Sequence, residues 1–290
     1  MHSEVLYKPD LVYDFTPDEI IEIFHLTKSV LEKDPPFVHL EMKKGKVIFI
    51  GDTHGDFSTT KYVVTRFIKH PDDYLIFLGD YIDREPEREG SFYNLLYLCL
   101  LKINFPERLV LLKGNHEAHY SVFCYPYEFD KELIDIFGLF GRQIHSAATE
   151  VFKEMPLMVR TSNGIIASHA GFPLNGQSVD DKSRRDLIID ILWADAEVSP
   201  MFRGFGIPKF TESKLTEFLE SNNATCLIRG HDPYLAGKII YSGKGLTIFT
   251  SRTYAKNAGI KIARVELSKQ IRSARDIQVE DITIYLPSSE

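Results

Sequence analysis

Apolar and polar positions follow two different periods along this chain, and each period predicts a different element. Near the start, Thr16-Pro17-Asp18-Glu19 supplies a capping hydroxyl, a proline in the first turn and a glutamate three residues past the cap. Ile20, Ile23, Phe24, Thr27, Val30 and Leu31 then fall on one helical face, and Pro35-Pro36 closes the segment. From Val47 the pattern changes to short β-branched runs. Runs at 47–50, 74–78 and 109–112 predict strands, and helical patterns at 61–69 and 92–103 separate them. This strand-helix-strand order implies a sheet covered by helices. A longer helical region from Phe129 to about Met155 is broken near Gly138 and Gly141. After Met158 strands dominate, at 165–167, 226–228, 238–241, 247–249, 260–266 and 282–286, with one helix from Glu212 to Leu219 among them. The expectation is an α/β (α+β) chain built as a two-sheet β-sandwich flanked by helices. No linker parts the halves, so residues 1–290 are expected to form a single domain, with 1–45 as an N-terminal helical extension.

Composition narrows the class. The 290 residues suffice for a sizeable core, and 44% apolar with 26% charged residues is ordinary for a soluble globular chain. The net charge of -7 argues against a nucleic-acid binder, which carries a basic face. Three cysteines, Cys99, Cys124 and Cys226, with no CxxC pair exclude a disulfide framework or zinc ribbon and point to a reducing compartment. No signal peptide and no apolar stretch of membrane-spanning length is visible, so a cytoplasmic protein without a membrane partner is expected.

The candidate chemistry lies at the ends of five apolar runs: VIFI-Gly51-Asp52, YLIFL-Gly79-Asp80, LVLLK-Gly114-Asn115, IIAS-His169 and CLIR-Gly230-His231. Each places a ligand-type residue just past a strand, where sites gather in α/β sheets. Four have glycine directly before it, which lets the backbone turn sharply. The first run continues to His54. Singly, an Asp or Asn after a strand is a turn residue or helix cap. Five repeats of one form are not independent turns. Asp52, His54, Asp80, Asn115, His169 and His231 together suit borderline divalent ions such as Mn, Fe or Zn. Six donors are too many for one open catalytic ion and about right for two sharing a carboxylate. Beyond them stand Asp83-Arg84, His116-Glu117, Arg203 and Arg229, cations and acids of the kind a phosphate monoester needs.

GDTHGD, GDYIDR, GNHE and His-Ala-Gly at 169–171 resemble the signature motifs of the phosphoprotein phosphatase family, the metal-dependent serine/threonine phosphatases. The resemblance runs on through the Ile191–Asp195 block, FRGFG, IRGH and FTSRTYAKNAG, and covers most of the chain. It implies the metallophosphoesterase fold and a compact catalytic core of archaeal or bacterial type. By motif position, Asp52, His54 and a bridging Asp80 would hold one metal; Asp80, Asn115, His169 and His231 would hold the other. Arg84 and Arg203 match phosphate-clamping arginines, Asn115 can donate to phosphate, and Tyr254 matches a tyrosine near the phosphate pocket. His116 matches the general acid and Asp83 its orienting carboxylate. The chain departs from the pattern at Glu85-Pro86, where glycine is usual after the arginine, at Lys113 for arginine, and at Ala255 for cysteine.

The function implied is a phosphoric monoester hydrolase acting on phosphoserine and phosphothreonine in protein substrates, with in-line attack by a hydroxide bridging two metals, most simply Mn²⁺. A small-molecule phosphohydrolase on the same fold, such as a dinucleoside polyphosphatase, is the alternative; the leading helix and the FRGFG and TYAKNAG blocks favour the protein phosphatase. A non-catalytic scaffold would show lost ligands, and all six are present.

Overall fold

The computed structural model describes residues 3–284. After two 3-10 turns comes helix α1 (Pro17–Leu31), then β1 (Phe37–Leu40), β2 (Lys46–Ile50), α2 (Phe57–Phe67), β3 (Tyr74–Phe77), α3 (Gly90–Asn104) and β4 (Leu109–Leu111). Helices α4 (Phe129–Phe137) and α5 (Gly141–Glu154) follow, parted by a 3-10 turn. The second half runs β5 (Met158–Thr161), β6 (Ile165–Ser168), α6 (Arg185–Leu192), β7 (Asp195–Ala196), β8 (Lys209–Phe210), α7 (Glu212–Ser221) and β9 (Cys226–Arg229). It closes with β10 (Ile239–Ile240), β11 (Gly245–Thr247), α8 (Ala255–Ala258), β12 (Lys261–Glu266) and β13 (Gln278–Asp281).

Two sheets result, in strand orders β13-β12-β2-β3-β4 and β1-β5-β6-β9-β11-β10, beside a small β7-β8 pair. The period of two along each central strand assigns its two faces. Val47, Phe49, Ile76 and Leu78 from the first sheet meet Val159, Ile165, Ala167 and Ile228 from the second in a core between them. The alternate residues Ile48, Ile50, Leu75 and Phe77 face outward, under Phe24, Val63, Leu96 and Phe152 of the helices. On the far side Ile166 and Leu227 pack under Ile191 and Leu215 of α6 and α7. The order is helix, sheet, sheet, helix. This is the expected flanked β-sandwich, with every layer hydrophobic toward its neighbour.

Strands β2, β3 and β4 run parallel, as do β6 and β9. Their carboxyl ends therefore share one edge of the sandwich, and the five ligand-type residues lie just past those ends. The capping box forms as expected: Thr16 accepts from Glu19 N, and the Glu19 carboxylate accepts from Thr16 N at 2.8 Å.

Several expectations are corrected. The N-terminal 45 residues are not wholly helical, because β1 pairs in parallel with β5 at the sheet edge. The second half holds α6 and the short α8 besides α7. Helix α2 starts four residues earlier than expected, because Asp56 caps it by accepting from Thr59 N at 3.0 Å. The last strand is Gln278–Asp281, antiparallel to β12, rather than 282–286; positions 285 and 286 lie outside the described residues. No helix among the described residues is long and apolar enough to cross a membrane.

Candidate active site

The six candidate ligands come together, all buried, where the two sheets meet at their carboxyl edges. Asp80 is the hub. Its Oδ2 lies 3.6 Å from His54 Nε2 and 3.5 Å from His169 Nε2, while its Oδ1 accepts from His116 N at 3.0 Å. Asp52 Oδ2 lies 4.0 Å from His54 Nε2, and its Oδ1 accepts from His231 N at 2.8 Å, tying the first sheet to the second. His169 Nε2 also faces Asn115 Oδ1 at 2.9 Å and His231 Nδ1 at 3.1 Å.

Backbone carbonyls fix two of the tautomers. His54 Nδ1–H donates to Ile82 O at 3.0 Å, and His169 Nδ1–H donates to Leu78 O at 2.9 Å. Each Nε2 therefore turns a lone pair into the site, as in metal-binding histidines whose other ring nitrogen is held by a carbonyl. Lone pairs then face carboxylate oxygens, and around His169 also the amide oxygen. A proton on His231 Nδ1 would serve the contact to His169 alone. His231 Nε2 is itself buried without a partner. Among the described residues, no lysine or arginine pairs with Asp52 or Asp80. Two buried carboxylates without a cation are costly, and acceptors gathered in this way require positive charge between them. Burial holds His54 down at about 3, His169 at about 4 and His231 well below the usual imidazole value, so all three are neutral and ready to bind. Burial, together with Asp80, pushes Asp52 up. This donor set fits two divalent cations, one near Asp52, His54 and Asp80, the other near Asp80, Asn115, His169 and His231.

Beside the ligands stands a proton-transfer pair. His116 Nδ1 meets Asp83 Oδ2 at 2.5 Å, both fully buried, and His116 Nε2 has no partner. Asp83 is pinned in turn, its Oδ1 accepting from Glu128 N at 2.8 Å and Phe129 N at 2.9 Å at the start of α4. Burial alone would drive the proton off His116, but Asp80 and Asp83 outweigh it and raise its pKa well above the usual range. The pair is an acid charged with its proton and held in one orientation.

A cleft of about 440 Å³ opens over these groups, lined by Asp80, Asn115 and His231 below and by Arg84, Arg203 and Tyr254 at the sides. Arg84 Nη1 donates to Tyr254 OH at 3.3 Å. Arg203 is braced by Asp195, 3.2 Å from Nε, and by His231 O, 2.6 Å from Nη2. Both arginines therefore reach the cleft from fixed positions. Arg229, grouped with them on sequence, is elsewhere. It is fully buried, donates through Nε to Ala170 O at 2.5 Å, and lies 3.7 Å from Asp195. It braces loops behind the site and does not line the cleft.

Sequence reasoning missed other residues. Glu117 accepts from Asp80 N, Tyr81 N and Gly114 N at 2.8–2.9 Å, clamping two ligand loops together. The sequence grouped it with the charged residues that serve a phosphate; the structure makes it a brace of the ligand loops instead. Cys124, Tyr125, Met201 and Phe202 line the cleft wall and carry no local signal at all. Lys113, a departure from pattern, is buried away from the cleft; its ammonium donates to Tyr120 OH at 3.0 Å and to the Lys153 and Lys182 carbonyls.

Known proteins resemble this chain in sequence and in fold. The calcineurin-like phosphoesterase family matches residues 45–235, well over half of the chain. A serine/threonine-protein phosphatase of Caenorhabditis elegans is 29% identical over 294 residues, covering 93% of this chain and 62% of its own length. The PP2A-like phosphatase PPG1 of Candida albicans is 26% identical over 277 residues, covering 90% of this chain and 64% of its own. The chain thus spans less than two thirds of the length of these curated relatives. Among solved structures, a serine/threonine phosphatase from Saccharomyces cerevisiae with similarity to human phosphatase PP5 covers 99% of this chain and 98% of its own, with TM-score 0.81 and 21% identity. A cold-active protein-tyrosine phosphatase of a Shewanella species matches with TM-score 0.58 and 15% identity over 87% of this chain and 84% of its own. At these identities the solved structures speak for the fold. The matched family model covers well over half of the chain and the shared fold agrees with it: the chain belongs to the calcineurin-like phosphoesterase family.

Proposed function

We propose that residues 1–290 act as one catalytic domain, a serine/threonine protein phosphatase that uses two divalent ions, with Mn²⁺ as the working pair. The observation that carries this is one cleft lined by the two braced arginines and by Asp80, Asn115 and His231 of the donor sets, with the His116–Asp83 pair buried directly beside Asp80. The relatives' names favour phosphoprotein substrates over dinucleotides. The free, buried cysteines support a reducing, cytoplasmic setting.

Bound at Asp52, His54, Asp80, Asn115, His169 and His231, the ions would supply a water nucleophile at neutral pH and neutralise charge on the phosphate. The remaining work falls to the chain. Arg84 and Arg203 grip the non-bridging oxygens from two sides, and Asn115 Nδ2 donates to a third position. Tyr254 OH holds Arg84 on its bearing. His116 delivers the proton from Nε2 to the departing serine or threonine alkoxide, a poor leaving group without it. Asp83 holds the ring through Nδ1, leaving Nε2 as the nitrogen free to give its proton.

The test compares phosphoserine and phosphothreonine peptides with a phosphotyrosine peptide and diadenosine tetraphosphate, using the Mn²⁺-loaded chain. Phosphate release from the first two, abolished by chelation, is expected. Faster turnover of the dinucleotide would reassign the substrate class, and faster turnover of phosphotyrosine would reassign the amino acid.

A further inference from the structure

The segment after Arg84 is where the chain leaves its family's pattern, and the structure gives that segment a job. Asp83 and Arg84 are consecutive non-glycine residues with left-handed backbone, φ 63 and φ 60. Such a pair persists only where the surroundings over-determine it. Arg84 is held at both ends by one 3-10 turn, Arg252–Tyr254: Thr253 Oγ1 donates to Arg84 O at 2.8 Å, and Arg84 Nη1 donates to Tyr254 OH at 3.3 Å. The aim of Arg84 therefore depends on where that turn sits.

Arg252 fixes the turn. Its N donates to Asp56 Oδ2 at 2.7 Å and its Nε to Asp56 Oδ1 at 2.8 Å. Its Nη2 lies 3.1 Å from Glu87 Oε1. Glu87 belongs to the divergent segment and reaches α2 as well, accepting from Ser58 N at 2.8 Å and from Ser58 Oγ at 2.9 Å. The start of α2, the turn bearing Tyr254 and the segment following Arg84 are thus joined through two side chains. These side chains are 15% and 31% exposed, shielded enough for the pair to hold better than a free surface pair. Neither lines the cleft.

We propose that Glu87 and Arg252 form a clamp that positions Arg84 and Tyr254 to receive phosphate. Both are positioning residues, since neither reaches the reacting atoms. The proposal rests on the assignment of Arg84 to phosphate binding made above.

The experiment uses the full Mn²⁺-loaded chain with Glu87→Ala, Glu87→Gln, Arg252→Ala, Arg252→Lys and the double alanine variant. It reads the dissociation constant of inorganic phosphate by calorimetry, metal content, and KM and kcat on a phosphothreonine peptide. Each single alanine variant should weaken phosphate roughly 5–10-fold and raise KM in step, with metal content unchanged. The double variant should be no worse than the weaker-binding single, because either change opens the same clamp. Arg252→Lys should recover part of the loss, keeping the charge but not the planar fork. Glu87→Gln keeps polar contact with Ser58 and loses the charge facing Arg252, so a loss of roughly 2–3-fold is expected there. Unchanged phosphate affinity in the single variants, or multiplied losses in the double, overturns the clamp. If the alanine variants unfold, wild-type affinity in Glu87→Gln overturns it instead. A chain that binds phosphate in an Arg84-dependent way yet hydrolyses no phosphopeptide would defeat the proposed function and leave the clamp standing.

Discussion

Five side chains of the site hang from left-handed backbone: His54, Asp80, Asp83, Arg84 and His231. Only four other non-glycine residues among those described share that conformation, so backbone strain is concentrated where the chemistry is. Left-handed geometry costs about 1–2 kcal/mol per L-residue, and each of the five is repaid by a specific contact of its side chain. The acid assignment is tested at this scale. His116→Asn should lower kcat roughly 10²–10³-fold with both metals retained, measured on a phosphothreonine peptide with metal analysis in parallel. Full activity would remove His116 from its role. Five of the six candidate ligands stand just past an apolar run, four of them directly after glycine, so their grouping was legible locally; His54 follows Asp52 by two positions. Glu117 and Arg252 were not, since their partners lie far along the chain: Glu117 meets Tyr81 N, and Arg252 meets Asp56. Arg229 misled for the same reason, because its partners are carbonyls brought in by tertiary folding.

Among elements, the helices carrying a full apolar face and a cap were readable, as α1 shows. Strand β1 was not: FVHL is a short, half-buried run that becomes a strand only by pairing with β5. The last strand, QVED, is mostly polar and half-exposed, so hydrophobic patterning pointed past it to the apolar residues that follow. The junction of α3 and α4 makes a prediction of its own. Glu132 on α4 accepts from Phe92 N on α3 at 2.8 Å, and burial, reinforced by Glu85 and Asp83, pushes its carboxyl up to about 8 from an ordinary 4.5. Between those values the folded protein keeps a proton that the unfolded chain has released. Stability contributed by this group is therefore full below pH about 4.5 and lost as pH rises toward about 8. Glu132→Gln should raise stability by about 1–2 kcal/mol near pH 8, with little change near pH 5. Thermal melts of both proteins at the two pH values would check this; an equal shift at both would show that ionisation is not the cause.

For the molecule as a whole, the candidate metal ligands come from both sheets, Asp52, His54, Asp80 and Asn115 from the first and His169 and His231 from the second. Metal should therefore stabilise the packing of one sheet on the other. At Mn²⁺ about 100-fold over its dissociation constant, each site adds about 2.7 kcal/mol, and chelation should lower the melting temperature accordingly. An unchanged melt after verified metal removal would argue that the two halves of the donor set are assembled without it. The flanked sandwich was legible from alternating strand and helix patterns. Which strands adjoin was not, because β2 pairs with the distant β12, and β6 with β9, through contacts that no local pattern encodes.

The hydrogen bond from His231 N to Asp52 Oδ1 spans 179 positions of sequence. During synthesis, then, Asp52, His54, Asp80 and Asn115 leave the ribosome well before the residues that complete their pocket. A nascent chain ending short of His231 would hold only part of the proposed donor set. On the proposed assignment of these donors, loading with two ions would be a late event, tied to closure of the second sheet.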